Sequence, residues 1–574
     1  MDGLEHLLSD RLAPVFAELA GEPAAPAVRS SEHADFQADG ALALGRRLGR
    51  NPRQLARDIA QRAQLADLCS KVEPSGPGFI NLTIADGVLE QLLAEMAADA
   101  HLGVELPRQP ETVVVDYSAP NAAKEMHVGH LRSTILGDAV VRLLDWLGHT
   151  VVRHNHLGDW GTPFGMLIEH LLDIGEAEAA HELAVGDLGG FYRAARQQFD
   201  ADPGFRERAR QRVVLLQGGD PTTRRLWQLL VEESKRYFES VYEQLGVRLT
   251  ADDFVGESTY QDQLHAVLEE LDALGLLRES EGAKVVFPRG FTNRDNQPLG
   301  LILQKSDGGF GYAVTDLAAL RSRIRELGAT RILYVVGLPQ RQHLEMVFEV
   351  AREAGWLTPA IRAEHIGFGA VLGTDGKMLR TRAGTSLKLV DLLDEAVARA
   401  TDLVATKNPS LAPEARAAIG RAVGIGAVKY ADLSTERTQD YVFEWQRMLA
   451  FDGNTGPYLQ YAHARICSIL ERAPAHDGAG SFTFRLSAPP ERALALDLLR
   501  FPAVGAELPR TLEFHQLAGY LYALATSFTQ FYEQCWVLQA EGEQRQSRLA
   551  LCHLSAQVLR QGLSLLGIDA PQRM

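Results

Sequence analysis

Cysteine is scarce in this chain. Four thiols occur in 574 residues, Cys69, Cys467, Cys535 and Cys552, and no two stand at Cys-x-x-Cys spacing. That argues against a zinc ribbon and against a disulfide framework, and four scattered thiols fit a reducing cytoplasm. Long apolar runs are missing as well. Runs such as Val113–Val115 and Leu143–Leu144 are short, far below the roughly 20 residues a membrane span needs. The opening Met1-Asp-Gly-Leu-Glu has no basic stretch leading into an apolar one, so no secretory signal is expected. Positive charge is outweighed, with a formal net charge of −16. Such acidity favours solubility and discourages nonspecific RNA binding. It excludes no RNA partner, because contact depends on local patches. Internal repeats and low-complexity tracts are also absent, apart from Ala-rich helices.

Apolar residues make up 46% of the chain, enough to bury sizeable cores. The length suggests about three or four domains. Residues 1–108 read as an N-terminal α+β domain. In it Leu44, Leu48, Leu55 and Ile59 recur at helical spacing, and Asn51-Pro52 marks a helix start. Arg46, Arg50, Arg53 and Arg57 form a basic strip across that junction. Two readings stay open for it, a solvated helix face and a phosphate-contacting surface. The run Glu73–Ile84 reads as a Pro- and Gly-punctuated turn followed by a strand, with Phe79 and Asn81 on one face and Ile80 and Leu82 on the other.

From Thr112 the pattern becomes α/β. Thr112–Asp116 predicts a buried strand, residues from about 128 to 147 a helix, and Thr150–Arg153 the next strand. That is a parallel crossover unit. Residues 109–395 therefore read as a Rossmann-type domain, with polar, largely helical insertions at about 170–295. Alternation of strand and helix resumes at Gly311-Tyr312, Ile332–Val336 and His365–Gly369. Residues 396–574 read as an all-α bundle.

The chemistry centres on His127-Val-Gly-His130, between a strand and a helix N-terminus. Unpaired N–H groups there suit phosphates. Two imidazoles one turn apart share a face, and Gly129 leaves room for a nucleotide to approach the backbone. Attack on the α-phosphate of ATP builds negative charge that such donors stabilise. Alone the pattern is weak. A hydrogen-bonded histidine pair fits it, and so does a metal site using His127, His130, His154 and His156, although no carboxylate or thiol completes that set.

The surrounding run narrows the choice. Asp116-Tyr-Ser-Ala-Pro-Asn-Ala-Ala-Lys-Glu-Met-His-Val-Gly-His-Leu-Arg-Ser-Thr-Ile135 closely resembles the class I signature of the arginyl-tRNA synthetase family. His154-Asn-His-Leu-Gly-Asp-Trp-Gly161 with Phe164-Gly165, Gly426–Leu433, Asp452–Tyr461 and Leu565–Pro571 also match that family. The resemblance covers almost the whole chain. It implies a Rossmann catalytic core, a helical anticodon-binding domain at 396–574, and an N-terminal domain that meets the tRNA D-loop. It further implies ATP, arginine and tRNA as partners, with magnesium on the ATP phosphates, and a cytoplasmic monomer that associates with no membrane.

The second class I signature is usually Lys-Met-Ser-Lys-Ser. Here Lys377 and Met378 remain, while Leu379 and Arg380 replace Ser-Lys. The cation on the departing pyrophosphate is therefore open among Lys124, which the family resemblance favours, Lys377, Arg380 and Arg382. The resemblance also maps the arginine pocket onto Asp116, Asn121, Tyr312, Asp316 and Gln340, a set that could reject lysine without an editing domain. It places tRNA contacts at Phe79, Asn81, Tyr458, Gln460 and Arg465, with Tyr461, Phe528, Phe531, Tyr532 and Trp536 as core or contact aromatics. No protein-held metal is expected. The rivals are another class I synthetase or related nucleotidyl transferase, and a catalytically inactive RNA-binding paralogue.

Overall fold

A computed structural model describes residues 3–176, 188–379, 387–473 and 482–574. The chain forms two compact units. The first joins Met1–Leu106 to Ala450–Ser564 and Ile568–Met574; the second holds Pro107–Leu449 with Leu565–Gly567.

In the first unit, four antiparallel strands stand in the order Val28–Ser30, Phe36–Ala38, Phe79–Ile84, Cys69–Ser75. Alternation in Phe79–Ile84 buries Ile80, Leu82 and Ile84 and leaves Phe79, Asn81 and Thr83 half-buried on the other face. Glu73-Pro74-Ser75, expected in a turn, instead belongs to a strand. That strand is an edge of the sheet, where a proline costs no ladder hydrogen bond. The turn itself is shorter, with Gly76 at φ 53° and Gly78 at φ 151°.

The rest of this unit is helical, with Gly456–Arg472, Pro489–Leu498, Phe501–Thr511, Phe514–Gln534 and Gly542–Leu565 around buried Leu459, Leu521, Phe528 and Leu559. The two ends of the chain are tied together here by charge. Arg492 pairs with Asp35 and Asp86 and donates to the Ile84 carbonyl at 2.8 Å. Glu90 accepts from Arg485 and from the backbone of Leu486.

The second unit is built on five parallel strands in the order Arg362–His365, Arg331–Tyr334, Thr112–Asp116, Thr150–Leu157, Phe254–Gly256. Val114 pairs with Ile332 on one side and Val152 on the other. Val113–Val115 are fully buried, as a strand covered on both faces requires. The chain starts in the middle, runs outward one way, then returns to the other side. That reversal creates a switch point between Thr112–Asp116 and Arg331–Tyr334, where open α/β sheets form a crevice at their strand ends.

Three expectations change. The region 170–295 is not simply helical. It contains Thr162–Ile174, Leu188–Ala201, Pro203–Gln217 and Pro221–Leu245, but also the fifth parallel strand and most of an antiparallel sheet, Leu277–Ser280, Ala283–Val286 and Leu301–Gln304. Those strands are four residues long and carry Arg278, Glu279 and Lys284, which masks their periodicity. Gly311-Tyr312 is a helix start, with Gly311 as N-cap of Tyr312–Arg325. The strand expected over His365–Gly369 ends at His365.

The helices Leu389–Lys407 and Pro413–Leu433 pack within the second unit. The segment after them folds back, and Tyr441–Val442 pairs in parallel with Val371–Leu372.

Candidate active site

At the carboxyl end of Thr112–Asp116 the chain crosses a loop and enters a 3-10 turn, Val128–His130, that leads into the helix Leu131–Trp146. His127 is the cap. Its Nδ1 accepts from the Gly129 N–H at 3.0 Å, while His130 Nδ1 accepts from the His127 N–H at 3.1 Å. These bonds assign both rings the tautomer with Nε2 as donor. The ring centroids are 4.2 Å apart. A Cβ on Gly129 would stand 2.6 Å from His127 Cε1, so glycine is what lets the ring fold over the turn.

Burial lowers the His127 pKa, and the charge of Lys124 adds to the effect. Burial likewise pushes His130 down to about 4, with His127 adding to it and a backbone bond opposing it. Both rings are thus neutral donors around neutral pH.

His127 borders a cavity of about 470 Å³ at the switch point, and His130 stands directly behind it in the same turn. One wall is His127, Gly129 and Arg132; the other is Gly337–Pro339, which follows the Arg331–Tyr334 strand. Phe368, Met378, Leu379 and Asp440 close it. Asp440 is fixed by accepting from the Ala370 N–H at 2.5 Å. Met378 thus lines the same cavity as His127. Lys377 lies beside it on an exposed turn in which Gly373 N–H donates to the Lys377 carbonyl at 2.7 Å. Arg380 and Arg382 fall outside the described residues. Lys124 is exposed, its ammonium 4.8 Å from the Tyr192 ring centroid.

The five residues mapped to an amino-acid pocket divide. Asn121 is exposed and faces Gly158, where a Cβ would stand 2.3 Å from its Oδ1. Tyr312 is 80% exposed at its helix start, and Asp316 follows one turn later, bonded to His343 Nε2 at 2.6 Å. Gln340 is exposed in the turn Leu338–Gln340, continuous with the crevice wall. Asp116 differs from the other four. Its carboxylate is buried and accepts from Arg323 Nη2 at 2.7 Å. Burial raises its pKa, but Arg323, then His156 and His154, more than offset this and hold it below the usual value. An internal guanidinium already neutralises it.

Two carboxylates escaped the sequence reading. Asp159 is buried and accepts from the Ser258 N–H at 2.9 Å and its hydroxyl at 2.7 Å. Glu257, at the end of the fifth strand, is pushed up to about 7 by burial, with Asp159 and Asp316 adding to it. Asp159 lies inside a motif already noted; nothing local distinguishes Glu257. Among the described residues no three His, Cys, Asp or Glu side chains converge as metal ligands.

In the first unit, the Arg465 guanidinium lies 4.7 Å from the Tyr532 ring. Tyr461 is 46% exposed and Trp536 70%. Tyr532 and Trp536 line a cavity of about 790 Å³. Tyr458 is half-buried, 5.6 Å from Tyr522. Phe528 and Phe531 are core. Gln460, expected to face RNA, is fully buried, and its amide donates to the Asp569 carbonyl at 2.8 Å. Helix phase turns it inward and its neighbour Tyr461 outward. Asn81 accepts from Gln37 Nε2 at 2.8 Å. Arg46, Arg50, Arg53 and Arg57 are all exposed, and Arg50 pairs with Asp58 at 3.0 Å.

Comparison with known proteins agrees along the whole length. Residues 91–445 match the family model described as tRNA synthetases class I (R), catalytic domain. Residues 2–84 match the arginyl tRNA synthetase N terminal domain, and 459–574 the DALR anticodon binding domain. An arginine–tRNA ligase of Thermobifida fusca is 52% identical over 96% of this chain and 95% of its own. One of Laribacter hongkongensis is 47% identical, with all of both chains covered. Among solved structures, the Plasmodium falciparum arginyl-tRNA synthetase superposes with a TM-score of 0.84 at 28% identity, covering all of both chains. That of Thermus thermophilus gives 0.80 at 25%, again covering all of both chains.

Proposed function

Since the chain belongs to the arginyl-tRNA synthetase family and joins arginine to its tRNA at the expense of ATP, we propose that the switch-point crevice beside His127 and His130 is where arginine is activated. The observation that carries this placement is the turn that holds two neutral imidazole donors side by side, with His127 and Gly129 lining that cavity and Gly337 on its facing wall.

The arginine carboxylate attacks the α-phosphate, and pyrophosphate leaves. As charge gathers on the phosphate oxygens, the Nε2–H groups of His127 and His130 stabilise it. Because neither ring is protonated near neutrality, the stabilisation is donor geometry and requires no proton exchange with solvent. Lys124 and Lys377 neutralise the departing end. Magnesium arrives on the ATP phosphates as part of the substrate. The arginyl group then passes to the ribose hydroxyl of the terminal tRNA adenosine.

The guanidinium sits toward Asp316 and Glu257, with Asn121, Tyr312 and Gln340 at the open side. A cation entering there favours ionised Glu257, whose charge its neighbours otherwise oppose. The tRNA meets Phe79 and Asn81 on the N-terminal sheet, and its anticodon bases meet Tyr461, Arg465, Tyr532 and Trp536, where exposed rings and a guanidinium can stack on single-stranded bases.

The enzyme works as a monomer in the cytoplasm. One chain supplies both chemical and RNA-facing groups, and among the described residues no helix is long and apolar enough to cross a membrane.

Pyrophosphate release with arginine, ATP and tRNA tests the reading. Lysine or citrulline in place of arginine should lower it on the order of 10,000-fold, because the pocket's polar partners are left unpaired. Equal turnover with lysine would contradict the pocket assignment.

A further inference from the structure

The loop that carries Lys124 is held in an unfavourable shape. Ser118, Ala119 and Ala123 have φ of 71°, 46° and 58°, the left-handed region that residues with a Cβ avoid. Such conformations persist only where the surroundings over-determine them. Here each of the three N–H groups donates to a side chain from a different element. Ser118 donates to Ser133 Oγ at 2.9 Å, Ala119 to Asn155 Oδ1 at 3.0 Å, and Ala123 to Ser234 Oγ at 2.7 Å.

Ser133 and Asn155 belong to the core helix and strand. Ser234 belongs to the inserted helix Pro221–Leu245; it is fully buried, and its hydroxyl hydrogen goes to the Leu230 carbonyl at 2.6 Å. Tyr242 of the same helix shares a hydrogen bond with Ser118 at 2.7 Å and accepts from Asn155 at 2.9 Å. The next residue along the loop, Lys124, rests its ammonium on the Tyr192 ring of another inserted helix, Leu188–Ala201. Glu125 then pairs with Lys388 at 2.7 Å, and its carboxylate lies so near Gly189 that a Cβ there would stand 2.2 Å from Oε2. The whole stretch 118–125 is thus cast against the inserted helices.

We propose that Ser234 and Tyr192 are positioning residues for Lys124, Ser234 by locking the left-handed Ala123 and Tyr192 by holding the ammonium over its ring. The inference rests on the reading of Lys124 as a cation for the leaving pyrophosphate. It gives the inserted helices a part in the chemistry, since a freely rotating lysine would sample many positions and a ring-held one few.

Pyrophosphate exchange by the full chain, with arginine, ATP and tRNA present, separates the two claims. Lys124→Ala sets the reference and should lose about 100-fold in kcat. Tyr192→Leu should lose about tenfold in kcat, with the KM values for arginine and ATP nearly unchanged and with Tyr192→Phe restoring most of the loss. In the Lys124→Ala background, Tyr192→Leu should cost nothing more, because its effect passes through the ammonium. Ser234→Ala should resemble Tyr192→Leu, and Ser234→Thr should recover. A defective Lys124→Ala beside an unaffected Tyr192→Leu overturns the positioning claim alone. An unaffected Lys124→Ala overturns the leaving-group reading and this inference with it. Losses that multiply in the double variant place the action of Tyr192 elsewhere and overturn the inference.

Discussion

At the switch-point crevice the groups we propose to be functional come from turns at the ends of neighbouring parallel strands, whereas on the helical half of the other unit they come from outward faces of helices. The crevice holds its groups through backbone. His127 and His130 are fixed by N–H bonds within a single turn, and Asp440 by the Ala370 N–H. The aromatic face holds its groups through other side chains, Arg465 lying over Tyr532 while Trp536 is largely exposed. Chemistry at a phosphate needs donors fixed to a fraction of an ångström. Reading a single-stranded base tolerates adaptable rings. The contrast predicts that small geometric changes are severe in the crevice and mild on the recognition faces.

Gly129→Ala should show the largest effect of that contrast. The new Cβ would stand 2.6 Å from His127 Cε1, so the ring must move. Displacement of that order costs about 100-fold in pyrophosphate exchange, with melting temperature nearly unchanged on this exposed turn. A wild-type rate in Gly129→Ala would show that the crevice tolerates movement as well as the aromatic face does.

Glu257→Gln sharpens the comparison within the crevice. It should raise the arginine KM about 30-fold while leaving the ATP KM alone, as loss of a charged partner implies. The sign of the pH effect follows from the raised carboxyl. Glu257 is pushed up to about 7, so in wild type the arginine KM should fall as pH rises through that value and the carboxylate forms. In Glu257→Gln that pH dependence should disappear. Its survival in the variant would assign it to another group.

On the recognition face, Trp536→Ala should raise the tRNA KM about tenfold, the effect of one lost base stack, without altering the arginine KM. The smallest effect is expected for Asn81→Ala, about fivefold in the tRNA KM, with the melting temperature retained because Asn81 is half-buried on the outer strand face. A fall in stability together with tRNA affinity would return Asn81 and its neighbour Phe79 to a packing role.

These regions were also unequally legible in the sequence. His127, Gly129 and His130 could be read because their geometry arises within four consecutive residues. The parallel crossover was visible in the short apolar strands around Val114 and Val152. The ion pair of Asp116 was not legible because its partner, Arg323, lies 207 residues away. Glu257 was invisible because its raised pKa comes from burial and from Asp159 and Asp316, carried on separate segments. Gln460 and Tyr461 are adjacent in sequence, and only the phase of their helix sends one inward and the other outward. The antiparallel sheet over 277–304 was missed because four-residue strands give periodicity too little length to register. What the sequence conveys well is chemistry held by local backbone; what it conveys poorly is chemistry made by distant partners.

The central claim is that His130 acts as a neutral donor to the reacting phosphate, and the most direct test is arginine-dependent pyrophosphate exchange by His130→Ala, with tRNA present, across a pH series. Removing the donor should lower kcat at least about 100-fold with the arginine KM nearly unchanged. Because burial and His127 push the ring down to about 4, the wild-type rate should show no inflection from His130 between mildly acidic and neutral pH. An undiminished kcat in His130→Ala, or a wild-type inflection near the ordinary histidine range that this variant abolishes, would contradict the account.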